Sequence, residues 1–192
     1  MYIGRFLVIG GDFCGYCVCS RSFPDRCVVQ RGDRISIELR PDAEHTDNPY
    51  VAYNCVRREG DWVVIGNGDH VDLIAEEFVE GGDPNGALKS GLEEMGYERD
   101  EYNTPRIAGI VGEKSFIGIV KVEGIVVSEV KNPMLVATYG KNSPEIVDCR
   151  PDTAGEVIEF MYGNGFENAI CAVGMKKGNP IEFCLDNFLY KF

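Results

Sequence analysis

The chain has 192 residues, 44% of them hydrophobic and 26% charged, with a formal net charge of −12. That length and balance predict a globular protein able to bury its own core, and the negative field argues against nucleic acid or an anionic membrane as a partner. No apolar run approaches the ~18 residues of a spanning helix, and the N-terminal stretch lacks the apolar core and small-residue cleavage site of a secretory leader, so the expected location is cytoplasmic.

Residues 2–9 (YIGRFLVI) and 16–20 (YCVCS) read as strands, with Gly10, Gly11 and Gly15 at the turn between them. RISIEL at 34–39 alternates apolar and polar, a further strand. YVAYNCVRR and WVVIG flank Glu59-Gly60-Asp61 as a hairpin, and Tyr50 and Tyr53, three apart, fall on opposite strand faces. Over 70–80, Val71, Ile74, Ala75 and Phe78 share one helical face. A second helix follows Asp83-Pro84, a cap residue and then proline at the first helical position, with Ala87, Leu88, Leu92 and Met95 as its apolar stripe. An apolar strand follows Arg106. SFIGIVKV and IVVSEV, joined by Glu123-Gly124, form a second hairpin. The stretch 131–145 is the weakest candidate for a boundary. A third helix opens at Thr153 with Glu156 three residues on, a capping box, and ends at Gly163. AICAVGM and IEFCL flank KKGNP as a third hairpin. Strands outnumber helices and hairpins dominate, which predicts an α+β protein of antiparallel sheets covered by a few helices. One domain is expected over 1–192.

Four of the eight cysteines fall between residues 14 and 27. Cys17 and Cys19 share one strand face, but no second Cys or His pair stands at metal-ligand spacing, and Cys14-x-x-Cys17 does not open a helix as redox pairs do. Packing as buried strand cysteines is the better reading. No metal or cofactor is expected.

Residues 20–40 gather Arg21, Arg26, Arg31, Arg34 and Arg40 against Asp25, Asp33 and Glu38. Arg21 and Arg26 on a loop stiffened by Pro24 can converge on one anion, or pair with surface acids. Asn67-Gly68-Asp69 leads into the first helix, an anion-friendly N-terminus or a simple cap. His70 reads as a structurally bonded histidine. ERDEYNTPRI, 98–107, places polar groups before a strand, as a site lining or a charged loop. The common theme is a pocket rich in Arg, Asn and Tyr.

The motifs MYIGR (1–5), SRSFPDR (20–26), NPYVAYN (48–54), NGDHVD (67–72), DEYNTPRIA (100–108) and FIGIV (116–120), in this order, resemble the archaeal-type IMP cyclohydrolases. The resemblance implies a four-layer αββα fold like that of N-terminal-nucleophile hydrolases. It implies ring closure of the formylated carboxamide ribonucleotide FAICAR to IMP with loss of water, and a homo-oligomer, tetramer or dimer. In those motifs Tyr53 is assigned as proton or oxyanion donor and Arg26, with Arg21, to the anionic parts. Glu101 is the first choice of carboxylate base and Glu98 the alternative. Ser22, Asn54, Asn67, Asn103, Thr104 and Arg106 are assigned to substrate binding, Arg106 either on phosphate or bracing its loop. The alternatives are a non-catalytic purine-nucleotide binder and an amide hydrolase on the same fold. The latter needs an exposed N-terminal nucleophile, and Tyr2 after Met1 disfavours its release.

Overall fold

The computed structural model describes residues 1–187. Two antiparallel sheets form its centre. The six-stranded sheet contains β1 (Arg5–Ile9), β2 (Phe13–Cys19), β10 (Met134–Ala137), β11 (Glu145–Ile146), β12 (Ala169–Lys176) and β13 (Glu182–Asn187), in the order β11-β10-β1-β2-β12-β13. The seven-stranded sheet runs in chain order through β3 (Arg26–Arg31), β4 (Arg34–Leu39), β5 (Tyr53–Glu59), β6 (Trp62–Gly66), β7 (Arg106–Val111), β8 (Phe116–Lys121) and β9 (Gly124–Glu129). The helices are α1 (His70–Val79), α2 (Pro84–Met95) and α3 (Ala154–Gly163).

Alternation along each strand builds three apolar layers. Leu7, Ile9, Cys14 and Tyr16 face Ile37, Cys55, Ile65 and Ile107 between the sheets. The opposite residues, Phe6, Val8, Cys17 and Cys19, pack under α3 through Val157, Ile158 and Met161. Val64, Ala108 and Ile110 carry Val71, Ile74, Leu88 and Leu92 of α1 and α2. The layer order is therefore α3, sheet, sheet, then α1 with α2.

The helix signals act as expected. Asp83 accepts from the Asn85 and Gly86 amides. Thr153 accepts from the Glu156 amide at 3.2 Å, while Glu156 reaches back one residue further, to the Asp152 amide at 2.7 Å. Three expectations need correction. β2 begins at Phe13, so Gly15 lies inside it and not in the turn; a Cβ there would sit 2.6 Å from Val157 Cγ1, and its absence lets α3 approach. Tyr50 precedes β5 in a turn, so it shares no strand with Tyr53. The 131–145 stretch is no boundary, because it supplies β10, paired to β1 with Phe6 opposite Ala137. Among the described residues no helix is long and apolar enough to cross a membrane. The eight cysteines are free thiols, and the described residues hold no cluster of metal-ligand type.

Candidate active site

At one end of the sandwich the inward-facing stripe turns from apolar to polar. Antiparallel pairing brings the starts of β1, β5 and β7 together with the ends of β6 and β10 there. Arg5, two residues before Leu7 on the same face of β1, opens this polar region. Its Nη1 and Nη2 donate to Glu98 Oε1 and Oε2 at 3.0 and 2.8 Å, a bidentate pair with the carboxylate almost fully enclosed. Burial raises the Glu98 pKa above its usual range, against the pull of Arg5. Asn67, directly after β6, holds the loop in register: its Oδ1 accepts from the Ile107 amide at 2.7 Å, and its Nδ2 donates to the Pro105 carbonyl at 3.1 Å and, longer, to Glu98 at 3.4 Å.

Tyr16 of the first sheet and Tyr53 of the second meet hydroxyl to hydroxyl at 2.6 Å. Burial raises both phenol pKa values, so both stay protonated at neutral pH. Arg26 and Arg5 act on Tyr53 in the opposite sense, favouring its anion. Arg26 is itself only 4% exposed, and its Nε donates to the Phe23 carbonyl. Among the described residues neither Arg26 nor Arg106 forms an ion pair, so this end of the protein buries two arginines without a carboxylate partner in addition to the Arg5–Glu98 pair. In a chain of net charge −12 that is a local cationic pocket.

Thr104 closes the far wall. It donates to Asp100 Oδ2 at 2.6 Å, so the 2.7 Å contact with Tyr139 must use the tyrosine proton. The Glu98 amide donates to the Thr104 carbonyl at 2.8 Å, and this ties the Glu98 loop to the same wall. An open cleft of about 570 Å³ leads from Tyr53 and Asn54 to Asp69 and Asp72 at the start of α1. A second, of about 280 Å³, lies along Ser22, Phe23 and Pro24, and both touch Leu39.

Residues 2–179 match the family model described as IMP cyclohydrolase-like protein. The chain belongs to this family. An IMP cyclohydrolase of Halobacterium salinarum is 44% identical over 92% of both chains. One of Natronomonas pharaonis is 44% identical over 91% of this chain and 92% of its own. A third, of Methanothrix thermoacetophila, is 34% identical over 97% of this chain and 99% of its own.

Set against the site this family led us to expect, the structure brings Tyr53, Arg26, Asn67, Glu98, Thr104 and Arg106 to one end of the sandwich, all of them buried. It separates the two loop arginines. Arg21 lies on the surface, bonded to Glu167 at 2.9 Å and stacked on the Tyr2 ring, whereas Arg26 starts a strand inside. The pair does not converge on one anion here, because β3 takes up Arg26 directly after the loop. Of the two carboxylates, the alternative Glu98 is enclosed and the first choice Glu101 is exposed in a turn, as is Asn103 with a φ of 49°. Asn54 donates to Asp72 at 2.8 Å at the cleft edge. Ser22 lines the second cleft.

Sequence reasoning passed over Arg5, Tyr16 and Tyr139. Arg5 sits in the quoted MYIGR motif, and a charge opening an otherwise apolar strand was its available signal. Tyr16 was hidden in the cysteine-rich run.

Proposed function

We propose that the chain is an IMP cyclohydrolase, closing the ring of FAICAR to IMP with loss of water. The observation that supports this best is the buried cationic pocket beside the Tyr16–Tyr53 hydroxyl pair, in a member of this family. The reaction is intramolecular: the carboxamide nitrogen adds to the formyl carbon, its proton leaves, the formyl oxygen is protonated, and the carbinolamine then loses that hydroxyl, with the proton of the former formamide nitrogen, as water while the C=N bond forms. The protein's tasks are to fix the conformer, stabilise the oxyanion and move protons.

Tyr53 suits the oxyanion. Arg26 pulls the Tyr53 phenol down against its burial, which makes Tyr53 a better proton donor. With Tyr16 donating within the pair, the Tyr53 proton is free for the substrate oxygen, with Arg26 stabilising the negative charge. Glu98 suits the base, since Oε2, held by Arg5 alone, keeps a second lone pair, and its raised pKa improves its match to an amide proton. Asn67 and Thr104 hold Glu98 in place. Asn54, with Asp69 and Asp72 along the cleft, suits ribose hydroxyls. The four layers support kinship with the N-terminal-nucleophile hydrolases. We also infer one domain, a cytoplasmic location and a homo-oligomer, as in the resemblance.

The test is IMP formation from FAICAR by purified protein with a chelator present. Turnover is the expected result. Tight IMP binding without turnover would replace this reading by a nucleotide-binding role.

A further inference from the structure

The seven-stranded sheet ends on β9 with a row of unpaired backbone groups. The Val130 amide donates to the Ser115 carbonyl at 2.8 Å and continues the β8–β9 ladder. The even residues of β9 therefore bond to β8, and the amides and carbonyls of Ile125, Val127 and Glu129 face outward. Among the described residues none of these outward groups has a hydrogen-bond partner. Long edge strands are normally blunted by lysine, proline or a bulge. β9 has none of the three: its residues are GIVVSE, and its register against β8 is unbroken.

The apolar layer opens on the same side. β8 and β10 pack together one strand in from the two edges, so β9 and β11 are neighbouring free edges of the two sheets. Val126 stands opposite Ile119, and Ile146 opposite Met134, so both point toward the layer between the sheets. They are nonetheless 39% and 70% exposed. Inward-facing apolar side chains left in water beside an unpaired ladder are what a further strand would cover.

The charges along this edge say which strand. Residues 121–131 hold Lys121, Glu123, Glu129 and Lys131, a balanced set in a chain of net charge −12. Under a twofold axis two registers overlap the β9 ladders most fully. Centring on Val126 sets Glu123 against Glu129 of the second copy, and Lys121 against Lys131. Centring on Val127 sets Glu123 against Lys131 of the second copy, and symmetry repeats that pair. The same register places Val127 on the axis, Ile125 opposite Glu129 and Val126 opposite Ser128. We propose that β9 pairs antiparallel with β9 of a second copy about a twofold axis at Val127, joining the two seven-stranded sheets into one. This names a surface for the homo-oligomer inferred above and is independent of the reaction assigned to the site.

Sedimentation equilibrium of the whole chain at low salt, from ~1 to ~100 µM, tests it. The variants are Lys131→Glu, Glu123→Lys and the double exchange Glu123→Lys/Lys131→Glu. Both side chains are exposed and lie outside the candidate active site, so the variants should fold and melt as wild type does. Wild type should associate in this range. Each single reversal sets like charges opposite one another on both sides of the axis and should raise the dissociation constant at least ~tenfold. The double exchange restores opposite charges and should return the constant to within about threefold of wild type. A wild-type chain that stays monomeric throughout overturns both this surface and the homo-oligomer. A wild-type oligomer whose dissociation constant no single reversal shifts keeps the homo-oligomer and overturns the surface. So does a double exchange that associates no better than the single reversals. FAICAR turnover is read separately, and its absence removes the cyclohydrolase reading without touching this one.

Discussion

Tyr16 and Tyr53 touch at 2.6 Å across the gap between two sheets, a polar hydrogen bond set in the apolar layer near the proposed chemistry. Tyr53→Phe removes the group assigned to the oxyanion and should lower kcat ~100-fold. Tyr16→Phe leaves that group in place but frees its orientation, and a loss of roughly tenfold is expected, with KM little changed. Each variant strands one buried hydroxyl at a cost of about 1–3 kcal/mol, visible in urea melts. Folded Tyr53→Phe protein turning over at the normal rate would take Tyr53 out of the reaction.

The Arg5–Glu98 pair links residues 93 positions apart. Arg5→Met leaves the Glu98 charge enclosed and unpaired and should destabilise the fold by about 3–5 kcal/mol. Glu98→Gln keeps the shape. Burial raises the Glu98 pKa, so wild-type turnover should fall on the acid side at a pH above the ordinary range for glutamate. Glu98→Gln should be slow at every pH and lack that limb. An unchanged pH–rate profile in Glu98→Gln would move the base elsewhere.

His70 makes stability depend on pH. Burial, helped by Arg106, lowers its pKa from 6.5 to about 3. The folded state thus refuses a proton that the unfolded chain accepts below pH ~6.5. The contribution is fully present above that value and is lost progressively down to pH 3, on the order of 5 kcal/mol in total. Urea unfolding at pH 7, 6, 5 and 4 should show His70→Gln with a shallower loss than wild type. Parallel curves would show that His70 takes up its proton while folded.

Gly15 bears on packing alone. A valine there would drive methyl groups into Val157 and Met161, whose atoms stand 2.6 and 2.8 Å from the Cβ position. Gly15→Val should cost about 1–3 kcal/mol by thermal melt, with kcat retained in the fraction that folds, since α3 lies on the side of the sheet away from Tyr53. Destabilised protein with normal KM and kcat is the expected pattern; a stable variant would show that α3 slides freely.

Local chemistry made the helices legible. Asp83-Pro84 and Thr153 with Glu156 marked two starts, and apolar spacing fixed the buried faces. β3 was passed over because arginines at both ends of RCVVQR mask a short edge strand. β10 was passed over because Lys131 and Pro133 directly precede only four strand residues. The arginine-rich segment divided in a way composition could not show. Arg31 pairs with Glu38 and Arg40 with Asp42 at the surface, and Arg26 alone goes inside. Glu98 and Glu101 are three residues apart, and only the turn around Asp100, closed by the Glu98–Thr104 backbone bond, decides which is enclosed. Tyr16 and Tyr53 lie 37 positions apart in runs that look like ordinary core.

Among the described residues the two sheets share no backbone hydrogen bonds, yet the tyrosine pair demands that they stay aligned. Sliding β5 by one residue would turn Tyr53 and Cys55 outward and Asn54 inward, parting the tyrosine pair as it breaks the apolar layer. Selection for purine supply therefore acts on the alignment of the layers as well as on their cohesion, and catalysis here serves as a vernier for the fold.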